Sequence, residues 1–171
     1  RYWRDWSSDV CSSDLPDSAA MHVWLAVALG RQALREGART KLAISREIKA
    51  EADRAIALDP NIGRAWHVMA MWNIKLASLN ALERMAANAV LGGVPKGASF
   101  ENAEAAFKKA IALEPDYVNH RLEYGRLLKD LKRPAEARQE LERAVSLPPT
   151  SSALDARYQS EAKALLEKLP R

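Results

Sequence analysis

Residues 55–60 read Ala55-Ile56-Ala57-Leu58-Asp59-Pro60, and the same ending returns as Ala110-Ile111-Ala112-Leu113-Glu114-Pro115 and as Ala144-Val145-Ser146-Leu147-Pro148-Pro149. Each closes an apolar segment of helical period with a proline that cannot continue the helix. Pro115 and Pro149 stand 34 residues apart, whereas Pro60 and Pro115 stand 55 apart, an excess of 21. A recurrence of this length is the mark of stacked helical hairpins, and the excess marks an insertion in the middle one.

Working outward, the apolar spacing is helical from Asp17 to the end, as in Trp24, Val27 and Ala28, or Leu127, Leu128 and Leu131 beside Lys129, Asp130 and Lys132. Eight helices are expected, over 18–36, 41–58, 62–78, 80–91, 100–113, 117–131, 134–146 and 153–168, and no alternating strand. They are divided by Gly37, Asp59-Pro60, the loop from Gly92 to Gly97, Glu114-Pro115-Asp116, Arg133-Pro134 and Leu147-Pro148-Pro149. Ser99 is the expected N-cap of the fifth, and Pro134 suits the first turn of the seventh, where its missing N–H needs no partner.

Thirty-four residues is the tetratricopeptide period. Gly125, Ala137, Leu141, Ala144 and Pro149 fall on the small, small, large, small and turn positions of one unit. Trp66 and Ala70 begin the unit before it and Ala103, Phe107, Ala110 and Pro115 finish it, with the inserted helix and the glycine-rich loop between. Small residues there let two antiparallel helices approach closely, and Phe107 or Leu141 fills the adjoining gap. The first unit, from Trp24 to Pro60, is looser, with Trp24 and Trp66 separated by 42 residues. The expected fold is therefore all-α: a tetratricopeptide-like helical-repeat solenoid of antiparallel helix pairs with an inserted helix in the middle repeat. The last helix, with Leu154, Tyr158, Ala162 and Leu165, is expected to cap it. Trp24, Trp66 and Trp72 are expected in the core, and Leu82, Met85, Ala86 and Ala89 form a stripe expected to seat the inserted helix on the stack.

Residues 1–16 have no such period. Asp5 to Leu15, DWSSDVCSSDL, resembles a sequencing-library adapter read in frame, so this stretch is expected to be a translated artefact or a disordered arm, and 17–171 the repeat domain. Setting it aside removes Cys11, the one cysteine, and leaves 24 basic against 19 acidic residues. A chain without thiols has neither a disulfide framework nor a thiolate metal site.

At 48% apolar residues the chain has enough to build a core, while interspersed charge leaves no apolar run of transmembrane length. A soluble protein of cytoplasm or periplasm is expected. His22, His67 and His120 each lack a second ligand at metal-binding spacing, so they are expected to be partly exposed helix residues. Gly92 to Ser99 imitates a phosphate loop, but Ala98 stands where the lysine belongs and a helix precedes it where a strand should. The acid pairs Glu101/Glu104 and Glu140/Glu142 are expected on solvated helix faces. The central basic excess has no exposed aromatics interleaved, so no nucleic-acid partner is expected. No enzyme activity, metal or cofactor is expected.

Trp24-Leu25-Ala26 with Leu29-Gly30, Ala65-Trp66-His67 with Trp72, Ala77-Ser78-Leu79, Arg84 with Ala86, Leu91-Gly92-Gly93 with Pro95, and Ala98-Ser99-Phe100-Glu101 together resemble the regulator of microtubule dynamics family, in a bacterial-type form. The resemblance covers nearly all of 17–171. It departs at Met69-Ala70-Met71-Trp72, where the family tends to read Leu-Gly-Arg-Trp, and at Asn80, where a tryptophan is common. It implies a tetratricopeptide-like domain, which in animals is linked to microtubules and membrane contact sites.

The function expected is a noncatalytic scaffold that receives a protein or peptide in a concave groove lined by the first helix of each unit. The repeat alignment puts His22, Leu25 and Leu29, then Arg64, His67, Met71 and Lys75, then Asn119, Leu122, Arg126 and Lys129 on that face. Its basic bias favours an acidic, partly apolar ligand. Leu25, His67 and Leu122 occupy positions where a carboxylate clamp needs polar or cationic groups, so no such clamp is expected. The alternative is a structural subunit that self-associates without a peptide ligand.

Overall fold

Helix boundaries follow the caps that the sequence carries. The computed structural model describes residues 17–90, 93, 95–148 and 154–170, and among them are eight helices and no strand. They are α1 (Ala19–Ala33), α2 (Ala38–Leu58), α3 (Gly63–Ala77), α4 (Ala81–Val90), α5 (Phe100–Leu113), α6 (Val118–Asp130), α7 (Pro134–Ser146) and α8 (Asp155–Leu166). The readings placed on residues 1–16 and on Leu91, Gly92, Val94 and Pro149 lie outside the described residues. Ser18 and Ser99 each accept a backbone N–H three residues on, at 3.3 and 3.1 Å, so the orphan donors of α1 and α5 are capped. Asn80 and Glu83 exchange reciprocal 2.9 Å hydrogen bonds at the start of α4, a capping box that fixes where this helix begins. Pro134 stands in the first turn of α7. The second helix begins at 38 and not at 41, because Gly37 takes the extended N-cap conformation directly after the α1 turn.

Packing follows the spacing of small residues. The first helix lies along α2, α3 along α5 and α6 along α7; α2 then meets α3, α5 meets α6, and α8 closes against α6 and α7. The main core joins α3, α5, α6, α7 and α8, with Ala70, Ala103, Phe107, Leu122, Ala137, Leu141, Ala144 and Ala162 all fully buried. Two smaller clusters hold the first pair, Val23 with Ala55 and Ala65, and Ala26 with Ala52 and Val68. At Gly125 an added Cβ would stand 2.7 Å from Leu141 Cγ, and at Gly63 it would stand 3.0 Å from the Ala110 carbonyl oxygen. Both helices therefore pass closer to their partners than a side chain permits.

Two expectations about apolar residues are corrected. The inserted helix is not seated on Leu82 and Met85, which are 75% and 68% exposed, while Ala87, on a different face, is buried; the side chains of Ala86 and Ala89, the rest of the expected stripe, lie outside the described ones. It makes no broad contact with another helix among the described residues. Polar ties hold it instead: Arg84 donates to the Leu76 carbonyl at 3.1 Å, and Arg46 of α2 reaches the Gly93 carbonyl at 2.9 Å. Trp24 is likewise 62% exposed, while Trp72 is buried and donates to the Ser45 carbonyl at 2.8 Å.

Replacing Gly125 by Ala should cost about 1–3 kcal/mol through overpacking against Leu141. The same change at Gly30, a helical position with nothing within 4 Å, should stabilise by about 0.5–1 kcal/mol. Urea titration of the two variants measures both signs. Leu82→Asp should shift stability by no more than about 0.5 kcal/mol, as for other exposed positions, and its melting temperature tests this.

Candidate interaction surface

The polar side chains that join successive helix pairs are also those nearest the expected groove. His67 on α3 and His120 on α6 meet Nδ1 to Nδ1 at 3.0 Å, with ring centroids 5.0 Å apart. His120 is fully buried, which corrects the expectation of a partly exposed histidine. On its far side Nε2 lies 3.3 Å from Oε2 of Glu114, the C-cap of α5. Glu114 also accepts the Arg64 backbone N–H at 3.3 Å and faces its guanidinium at 3.6 Å. Phe107 sets its ring nearly perpendicular to His67 at 5.4 Å, and Tyr117 stands edge-on to His120 at 4.6 Å.

The chemistry of this chain fixes its protons. Burial works to raise the Glu114 pKa, but the hydrogen bond and charge of the His120 side and the charge of Arg64 outweigh it, leaving the carboxyl below its ordinary value. An ionised Glu114 only accepts, so His120 Nε2 carries the donated proton. Burial first, partly offset by Glu114, holds the His120 pKa below its ordinary value. Its Nδ1 is then a lone pair that accepts the N–H of His67 Nδ1. His67 is pushed down to about 3, by burial and then by His120. Both rings are neutral at pH 7, and the remaining nitrogen of His67, Nε2, is left as an acceptor.

Two further clusters hold the flanks. Arg126 on α6 pairs with Glu123 at 2.8 Å and with Glu161 of α8, which Arg157 also engages at 2.8 Å. Burial raises the Glu123 pKa against the charge of Arg126. On the first pair, His22 is held between the carboxylates of Glu51 and Asp17, and Arg54 binds Asp17 as well. The hydrogen bond to Glu51, then that to Asp17, raises the His22 pKa.

The fate of the sequence-predicted groove residues is mixed. Leu25, Arg64, Lys75 and Lys129 are exposed, and His22, Leu29, His67, Met71, Asn119 and Arg126 are partly so. Leu122 is fully buried, so it belongs to the core and has no surface to offer a ligand. Arg64 and Arg126 already face carboxylates, and the Asn119 Oδ1 is buried with no hydrogen-bond partner among the described residues. Two open depressions lie elsewhere, one lined by Arg31, Gln32, Arg35 and Glu36, the other by Arg84, Asn88, Pro95, Lys96, Gly97 and Ala98. Among the described residues no cluster of three His, Cys, Asp or Glu is arranged to hold a metal ion.

Sequence reading missed the carboxylates that matter most. Glu104 does not face solvent: it accepts from Arg133 at 2.6 Å and from Tyr124 at 3.1 Å, and the Arg133 bond holds its pKa at about 2. Glu140 similarly binds Arg121 at 2.9 Å, tying α7 to α6. The only available signal was the position of Glu114, one residue before a unit-ending proline, where Asp59 stands in the first unit.

These features define a class of protein: an all-helical chain whose helix pairs are bridged by buried histidine and carboxylate contacts. The chain belongs to the regulator of microtubule dynamics protein family, whose sequence model, "Regulator of microtubule dynamics protein 1-3", matches residues 12–170. Regulator of microtubule dynamics protein 1 of Caenorhabditis elegans is 30% identical over 165 residues, covering 96% of this chain and 72% of that protein. Regulator of microtubule dynamics protein 3 of Mus musculus is 29% identical over 150 residues, covering 87% of this chain and 32% of that protein. This chain thus spans most of the nematode relative and about a third of the mouse one. No helix among the described residues is long and apolar enough to cross a membrane.

The two histidine environments predict opposite pH limbs. His67 has a folded pKa of about 3 against 6.5 unfolded, so below pH 6.5 the unfolded chain binds a proton that the folded chain refuses. Stability should fall as pH drops from 6.5, by up to about 1.4 kcal/mol per pH unit from this residue, and His67→Phe should flatten that limb. His22, with its raised pKa, contributes stability that is full below 6.5 and lost as pH rises through its folded pKa. His22→Gln should flatten the upper limb. Urea midpoints from pH 4 to 9 report both.

Proposed function

We propose that this protein is a noncatalytic interaction scaffold of tetratricopeptide type. In this reading α1, α3 and α6 are the first helices of three units, α2, α5 and α7 the second helices, α8 the cap, and α4 an insertion. The observation that carries it is the partner choice of α3, which packs along α5 and passes over α4, its neighbour in sequence. That packing supports reading α3 and α5 as the two helices of the unit that the 55-residue spacing interrupts. First helices then line a concave face, on which Lys75, Lys129, Met71, His67 and Leu25 offer cations and apolar surface to a protein segment. A ligand with acidic and apolar residues suits it, with the charges setting encounter rate and specificity.

Since Arg64 and Arg126 face carboxylates that join elements of the fold, the charge most open to a ligand rests on Lys75 and on Lys129, which faces only the exposed side chain of its neighbour Asp130 at 3.7 Å among the described residues. The double variant Lys75→Glu/Lys129→Glu should therefore keep the wild-type melting temperature and lose acidic protein partners in a pull-down from the host proteome. Equal recovery by both proteins rejects the groove. A tight dimer in light scattering, with the groove occluded, favours the alternative of a self-associating structural subunit. The names of the relatives add the reading that the partner surface lies on a microtubule or on a protein acting on one, which co-sedimentation with polymerised tubulin tests.

A further inference from the structure

The first helix has two apolar faces, and only one is used. Val23 and Ala26 are buried against α2 and α3, while Met21, Trp24, Leu25 and Ala28, at the spacing of a single helical stripe, are exposed. Trp24 is the most exposed tryptophan side chain of the described residues. Further along the same face the character changes to Arg31, Gln32 and Arg35, which with Glu36 enclose an open depression. Arg39 and Lys41 follow at once in the first turns of α2. None of these four cations meets a carboxylate among the described residues, unlike Arg54, Arg64, Arg121, Arg126 and Arg133, which all do. Arg39 and Lys41 also sit at a helix N-terminus with no acidic residue in its first turn, where the helix dipole disfavours positive charge. The α1 C-terminus and Glu36 offset part of this charge, and four cations against one carboxylate leave the corner net positive.

We propose that the outer face of α1 is a docking surface for an amphipathic helix of another protein, apolar over the length of Met21 to Ala28 and acidic where it meets Arg31 and Arg35. Charge selects this occupant over a second copy of the chain. Two α1 helices side by side in parallel bring the arginine corners together. In the antiparallel arrangement each corner meets the positive end of the other helix, whose Asp17 is already held by His22 and Arg54. A partner helix running antiparallel to α1, with Glu or Asp in its first two turns, meets neither penalty. Acidic residues also favour its own N-terminus, and its apolar stripe covers Trp24. This surface is separate from the concave face, since it draws on neither Lys75 nor Lys129, and it stands or falls apart from the groove reading.

The test uses the full chain and a fluorescent synthetic helix of 18 residues (about five turns), with glutamates in its first two turns followed by a leucine stripe. Two controls accompany it, one with lysine in place of glutamate and one of the same composition scrambled to destroy the stripe. Anisotropy titration should show the glutamate helix binding at least about tenfold more tightly than either control. Trp24→Glu should weaken it by about tenfold or more, Arg31→Glu/Arg35→Glu should transfer the preference to the lysine helix, and Leu82→Asp should bind as wild type. Circular dichroism verifies that each variant is folded. No binding of the glutamate helix, equal binding of the scrambled one, or wild-type affinity in Trp24→Glu overturns the proposal. So does a concentration-dependent dimer that Trp24→Glu dissolves, which would make a second copy the occupant.

Discussion

The close approach of paired helices at glycine and alanine is the constraint on which the rest of this structure depends. Leu141 occupies the space that a Cβ on Gly125 would need, and Ala70, Ala103, Ala110, Ala137 and Ala144 are fully buried along the same seams. With so little side-chain bulk between helices, the seams contribute contact and shape more than volume, and the volume comes from Phe107, Leu122, Leu128 and Leu141. A methyl group at Gly125 meets Leu141 at 2.7 Å and forces the seam to adjust. An insertion as long as α4 is accommodated because α3 and α5 are matched to each other at Ala70, Ala103 and Phe107, while α4 makes no broad contact with another helix among the described residues.

Helices that touch mainly through alanine need other means to fix their order, and here buried polar contacts supply it. Glu114, His120 and His67 run in series from the end of α5 through α6 to α3, so one chain of hydrogen bonds orients three helices. Glu104 does the same for α5, α6 and the turn before α7 through Tyr124 and Arg133. A buried polar series is stabilising when its members have their partners, and the ionised Glu114 and the neutral His120 and His67 supply one another with complementary donors and acceptors at both links of the chain. Arg64 on this series and Arg126, between Glu123 and Glu161, face carboxylates while still reaching the surface. The charge open to a ligand is therefore not the sum read from the sequence, because part of it is paired within the fold.

Large apolar side chains stand most exposed on the inserted helix and on and just after the first helix. The inserted helix shows Leu82 and Met85, and the first helix shows Trp24 above a corner of four arginines and lysines. Several cations elsewhere pair with carboxylates across elements, and at this corner four stand together beside an exposed apolar stripe. An exposed aromatic contiguous with unpaired charge is the composition of interface centres and rims, whereas scattered single apolar residues need no explanation.

The sequence by itself determined the eight helices of the described residues and placed their ends to within about three residues, since apolar period, prolines and caps such as Ser99 act within a few residues of where they stand. It determined the small and large seam positions too, because a 34-residue recurrence repeats a packing problem and its solution. Tertiary structure alone decided which face of α4 and α1 is covered, since Leu82, Met85, Trp24 and Val23 are all apolar and only the neighbour's position distinguishes them. It alone decided that His67 and His120, 53 residues apart, share a hydrogen bond, that Glu104 and Glu140 bridge helices, and that Leu122 belongs to the core and not to the groove. The reason is physical: local propensity is written along the chain, whereas burial and charge pairing are properties of two surfaces brought together.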